Sequence, residues 1–131
     1  MPTRNFNPWS WQDPLAFSQA VETQAAGKVL YCAGQTSVDA DGKPLHAGDM
    51  RRQITQAFDN LATLLAHSGY TLAHVVRLNY YTTDMAAFNA AYDVVVERLR
   101  TCPVKPCGNL LGVTTLAIPG LLVELEATAV R

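Results

Sequence analysis

Apolar residues recur along this chain with two periods. In "DMRRQITQAFDNLATLLAHSG" (49–69), Ile54, Ala57, Phe58, Leu61, Leu64 and Leu65 return at three- and four-residue spacing and make one stripe on a helix. Asp49 is placed to cap its start and Gly69 to stop it. "DMAAFNAAYDVVVERLR" (84–100) predicts a second amphipathic helix, with Phe88, Tyr92, Val95 and Leu99 on one face. Elsewhere the period is two. "FSQAVET" (17–23), "KVLYCAG" (28–34), "HVVRLNYYT" (74–82), "NLLGVTTLA" (109–117) and "GLLVELEATAV" (120–130) read as strands.

The turn signals join these elements. "QAAG" (24–27) predicts a hairpin between the first two strands, and Pro119-Gly120 a hairpin between the last two. "DADGK" (39–43) is a further turn, and residues 1–16 read as an irregular lead-in to a single domain spanning 1–131. The order is β-β-α-β-α-β-β, which predicts an α+β fold with both helices on one face of the sheet. In the last strand, Val123, Leu125, Ala127 and Ala129 share one side. Glu124 and Glu126 share the other, roughly 6–7 Å apart. Periodicity leaves two readings of that pair open: a solvated outer face, or a carboxylate that activates water in a cleft.

Composition narrows the function classes. The 131 residues are 49% hydrophobic and 16% charged, enough for one core and low enough in charge to suggest a face covered by another subunit. The formal net charge is −1 and the longest basic cluster is Arg51-Arg52, which argues against a nucleic-acid footprint. No stretch approaches the roughly 20 apolar residues of a membrane span. Three irregularly spaced cysteines and three scattered histidines give no zinc spacing and fit a reducing compartment, so a cytoplasmic protein without membrane contact is expected.

Four stretches taken together carry a resemblance. "YCAGQTSVDADG" (31–42), "GDMRRQITQAFDNLATLL" (48–65), "VVRLNYYTTDMAAF" (75–88) and "IPGLLVELEATAVR" (118–131) resemble the RidA/YjgF-like superfamily in order and spacing, from about Phe17 to the C-terminus. The resemblance implies a chorismate-mutase-like α+β fold assembled as a homotrimer with a central barrel. It places small-molecule ligand clefts between subunits and implies no cofactor and no metal. It also implies hydrolysis of reactive enamines and imines, such as 2-aminoacrylate, to a ketoacid and ammonia.

Carried over by position, the resemblance puts the water-positioning glutamate on Glu124 and the backbone-contributing glycine on Gly34. The tyrosine near the first strand falls on Phe17, and the asparagine of the second helix on Asn89. The arginine that clamps a substrate carboxylate in deaminating members falls on Gly108, between Cys107 and Asn109. The thiol that some relatives carry falls on Leu110. A neutral glycine cannot replace a guanidinium fork, so binding of small carboxylates is expected to weaken by one to two orders of magnitude, on the order of one charge-assisted hydrogen bond. Lys105, three residues away, offers no planar fork.

Cys107, in "KPCGNLLGV" (105–113), has two readings. It is a nucleophile on a tight turn at the cleft, or a small filler where relatives often carry alanine. The filler is favoured, because a nearby carboxylate would raise a thiol's pKa rather than lower it. Trp9 and Trp11 read as rim or subunit packing, and His46 and His74 as surface or capping groups. Three function classes remain: an imine hydrolase with altered substrate choice, a non-enzymatic ligand-binding trimer, and, weakest on charge, a ribonuclease.

Overall fold

The strongest stripe in the sequence forms the longest helix. In the computed structural model, which describes residues 3–24 and 27–131, α1 spans Met50–His67. Asp49 caps it by accepting the Arg52 main-chain N–H at 3.0 Å. Gly69, at φ +84°, ends it in the left-handed conformation that glycine tolerates. Ile54, Ala57, Phe58, Leu61 and Leu65 are completely buried against the sheet.

That sheet contains β3 (Val29–Tyr31), β4 (Gln35–Thr36), β5 (Val75–Thr82), β6 (Leu110–Gly112) and β7 (Val123–Val130). β7 is the hub. β5 runs antiparallel along one of its edges, and β3 and β4 share the other. β6 lies outside β5 and parallel to it. Alternation holds along both central strands. Leu78, Tyr80 and Thr82 of β5 and Val123, Leu125, Ala127 and Ala129 of β7 are buried, whereas Asn79, Tyr81, Glu124 and Glu126 occupy the alternate positions on the other face. The helices pack on the apolar face, giving the expected α+β arrangement of two helical stretches against one sheet.

Four expectations change. The lead-in is not wholly irregular: β1 (Thr3–Phe6) pairs antiparallel with β2 (Ala20–Thr23), aided by an Arg4–Glu22 ion pair of 2.9 Å. The predicted hairpin of 17–23 with 28–34 is therefore replaced, because β2 takes β1 as its neighbour and β3 takes β7. The turn proposed at 24–27 falls partly on Ala25 and Ala26, outside the described residues. The second helix is interrupted at Ala91, whose N–H is shared between the carbonyls of Ala87 and Phe88 in a tightened turn, leaving α2 (Met85–Ala90) and α3 (Tyr92–Arg98).

The fourth change concerns the C-terminal hairpin. β6 is three residues long and pairs with β5. Both edges of β7 are already taken, so a strand at 109–117 has no edge there to pair with. The Pro119-Gly120 turn is tied to α1 instead. The fully buried Gln53 donates to the carbonyls of His46 (3.1 Å) and Gly120 (2.9 Å), and accepts the Leu122 N–H at 2.8 Å.

Candidate functional site

Two concavities lie on opposite faces of the sheet, and the residues expected to form one site divide between them. The first, of about 340 Å³, sits on the helix side near the β5–β6 edge. Leu78 and Tyr80 of β5 form one wall, and Asn89 and Tyr92 of the second helical stretch another. Leu15 and Ala16 of the lead-in and Phe17 just after it, with Pro106, Gly108, Asn109 and Leu110, complete it. Local hydrogen bonds hold these walls together. The Ser18 hydroxyl donates to the Lys105 carbonyl at 2.6 Å, and its N–H to the Pro106 carbonyl at 3.1 Å. The Tyr92 hydroxyl donates to the Leu15 carbonyl at 2.7 Å. No lining residue carries a formal charge.

At Gly108 the segment before β6 comes close against the main chain of β5. A Cβ built on Gly108 would fall well inside the 3.0 Å limit of real approaches to the Leu78 carbonyl, and 3.2 Å from the Asn79 side-chain oxygen. Main-chain bonds fix this approach on both sides. The Leu78 N–H donates to the Cys107 carbonyl and the Tyr80 N–H to the Asn109 carbonyl, each at 2.8 Å, while the Asn109 N–H donates to the Asn79 side chain at 2.9 Å. The backbone therefore demands glycine at 108 through close approach rather than through positive φ.

The neighbours of Gly108 point their chemistry elsewhere. The Cys107 thiol donates to the Val76 carbonyl at 3.3 Å and lines neither concavity. The Lys105 ammonium turns onto the end of the second helical stretch, donating to the carbonyls of Leu99 (2.7 Å), Arg100 (3.1 Å) and Cys102 (2.8 Å). All of its donors are occupied there.

The second concavity, of about 310 Å³, holds Gly34, Glu124, Glu126 and Tyr81, bounded by residues from Val113 to Ala117. Glu124 lies directly against Gly34, at the space a Cβ there would claim. The two carboxylates differ in their partners. Glu126 accepts from the Tyr81 hydroxyl at 2.7 Å and from the Asn79 amide at 3.1 Å, and these bonds hold its carboxyl below the usual carboxylate range. The Glu124 carboxylate accepts no hydrogen bond from any described residue, which leaves both of its oxygens available.

Phe17, Asn89, Gly108, Asn109 and Leu110 thus come together, and Gly34 and Glu124 come together, with the sheet between the two groups. Asn79 links them, since its side chain bonds both Asn109 and Glu126. Tyr80, Tyr92 and Leu15 escaped sequence reasoning as lining residues. The two tyrosines sit on the core-facing period of their elements and read as packing. Trp11 is exposed and meets Phe17 edge-on at 5.7 Å. His74 accepts the Thr71 N–H at 2.9 Å in a capping role. Among the described residues no three His, Cys, Asp or Glu side chains gather to suit a metal ion, and no helix is long and apolar enough to cross a membrane.

Comparison with known proteins fits this geometry. The profile of the Endoribonuclease L-PSP family matches residues 12–131. A Yersinia pestis protein of the conserved Rid protein family, itself of unknown function, superposes with a TM-score of 0.89 and 34% identity over 100% of both chains. A RutC family protein of Pyrococcus horikoshii is 30% identical over 115 residues, 88% of this chain and 86% of its own. A 2-iminobutanoate/2-iminopropanoate deaminase of Dermatophagoides farinae is 29% identical over 114 residues, 87% of this chain and 84% of its own.

Proposed function

We propose that this chain, which belongs to the Endoribonuclease L-PSP family and shares its fold with Rid proteins, assembles as a homotrimer and hydrolyses small reactive imines or enamines in a cleft between subunits. The observation that carries the proposal is the separation of the two half-sites. The ligand-sized pocket around Phe17, Asn89 and Gly108 has no base, and the free carboxylate of Glu124 lies in a separate concavity on the other face of the sheet. Joining the pocket of one subunit to the Glu124 of the next supplies both. The deaminase name of one relative supports the same chemistry.

In this reading Glu124 accepts a hydrogen bond from water and takes its proton as the oxygen attacks the imine carbon. The C=N π pair moves to nitrogen, which is protonated. The carbinolamine then expels ammonia and leaves a carbonyl product. The apolar pocket holds the organic portion and excludes bulk water. Gly108 sets the substrate range, because nothing charged stands in the pocket to pair with a carboxylate. Substrates are thus larger or less acidic than 2-aminoacrylate. Cys107 takes no part.

The test generates imines in situ with amino-acid and amine oxidases and follows ammonia release. Acceleration is expected with uncharged or aromatic imines, with a loss of about 100-fold in Glu124→Gln, the size typical of a lost acid–base group. No acceleration across the panel, or full activity in Glu124→Gln, refutes hydrolysis. A monomer by light scattering at micromolar concentration refutes the shared cleft. The uncharged lining equally suits a trimer that binds a metabolite without turning it over, and retained binding without turnover would select that reading. RNA cleavage has little support, since the formal net charge is −1.

A further inference from the structure

The pocket contains a hydroxyl that the hydrolytic scheme leaves unused. Tyr80 is only 7% exposed, and its ring packs on Phe88 at 5.7 Å. Burial pushes its phenol well above the ordinary tyrosine pKa, so the group is neutral throughout the physiological range. Its hydroxyl bonds no described residue. Yet among the described residues no fully enclosed side-chain oxygen or nitrogen lacks a partner, so this oxygen must reach open space, and Tyr80 lines the pocket. Tyr92 differs, since its hydroxyl is already committed to the Leu15 carbonyl.

An unpaired donor at the edge of an apolar cavity is costly to keep unless something answers it. We infer that Tyr80 is a specificity residue, donating one hydrogen bond to a neutral acceptor on a planar, largely apolar ligand whose body lies among Phe17, Tyr92 and Leu110. Aromatic walls favour a flat ring in offset or edge-on contact. An uncharged cavity penalises a carboxylate, which would lose its water without gaining a counter-ion. This deepens the proposed function, and it rests on this pocket being the ligand site.

The test uses binding rather than turnover, with three probes of one ring size: benzamide, benzoate and toluene. Dissociation constants come from calorimetry or ligand-observed NMR on the intact protein. Benzamide is expected to bind at least about 10-fold more tightly than benzoate, the factor expected from stranding one charged group. Tyr80→Phe keeps the ring and its packing on Phe88, and should weaken benzamide about 5- to 10-fold while leaving toluene unchanged. Equal binding of benzamide and benzoate, no binding of benzamide, or unaltered benzamide binding in Tyr80→Phe each overturns the inference. The two failures separate cleanly. If no imine is hydrolysed but the benzamide pattern holds, hydrolysis falls and Tyr80 stands. If imines are hydrolysed but Tyr80→Phe changes neither affinity nor the ratio, Tyr80 falls and hydrolysis stands.

Discussion

Replacing Gly108 by alanine is the sharpest test of how the pocket is built. A single methyl group would enter the Leu78 carbonyl, closer than the 3.0 Å that real Cβ atoms respect, and that oxygen is main chain rather than a flexible tip. Relief requires the 107–109 segment to move away from β5 by about 1 Å. The bonds at stake are Leu78 N–H to Cys107 and Tyr80 N–H to Asn109, both 2.8 Å, and Asn109 N–H to Asn79 at 2.9 Å. Such a shift takes them beyond the roughly 2.7–3.2 Å range of useful N–H···O bonds. Three lost bonds at about 1 kcal/mol each, plus residual overpacking of about 1 kcal/mol, predict about 4 kcal/mol of destabilisation. β6 lies at the sheet edge and can yield, which keeps the figure from rising further. Denaturant unfolding at fixed protein concentration measures the loss. Gly108→Arg carries the same Cβ, so it should destabilise the fold comparably and fail to create a carboxylate clamp. Gly108→Ala within about 0.5 kcal/mol of the parent, or tighter carboxylate binding in a stable Gly108→Arg, would show that the Leu78 carbonyl does not exclude a side chain here.

The other predictions concern the groups around this site. Lys105→Met strands the carbonyls of Leu99, Arg100 and Cys102, so it should cost about 1–2 kcal/mol in denaturant unfolding while leaving benzamide affinity unchanged; a changed affinity would place the ammonium in the pocket after all. Tyr81→Phe removes the first cause of the low Glu126 pKa, so the carboxyl should titrate closer to the ordinary glutamate range by NMR. A folded pKa below the unfolded value contributes stability that is present above the unfolded pKa and lost as pH falls through the folded one. The acid-side loss should therefore be smaller in Tyr81→Phe, and an unmoved Glu126 titration would rule the bond out.

Much of the fold was legible because period and caps are local properties. The α1 stripe, Asp49 and Gly69 needed only spacing and backbone preference, and the alternation of Val123, Leu125, Ala127 and Ala129 identified the buried side of β7. Strand pairing was not local. Gly27 and Pro119-Gly120 suggested hairpins, but β7 has two edges and both went to other partners, which no short stretch can reveal. Sequence could place Glu124 and Glu126 on one face, yet it could not say which was free. That depended on Tyr81 and Asn79 arriving opposite Glu126 from β5.

Spacing and residue type were enough to set the elements, the buried side of each, and the lack of a charge at position 108 for an anion. The reason that position is glycine came from the packing of two distant segments. A carbonyl thirty residues earlier in the chain stands where a side chain at that position would begin, and such an approach is a property of two backbones rather than of either sequence. The tertiary structure likewise turned Tyr80 from a packing residue into an unanswered donor. The inward period of β5 predicts burial, but whether a buried hydroxyl meets a carbonyl or an empty cavity depends on what the helices and the lead-in leave above it.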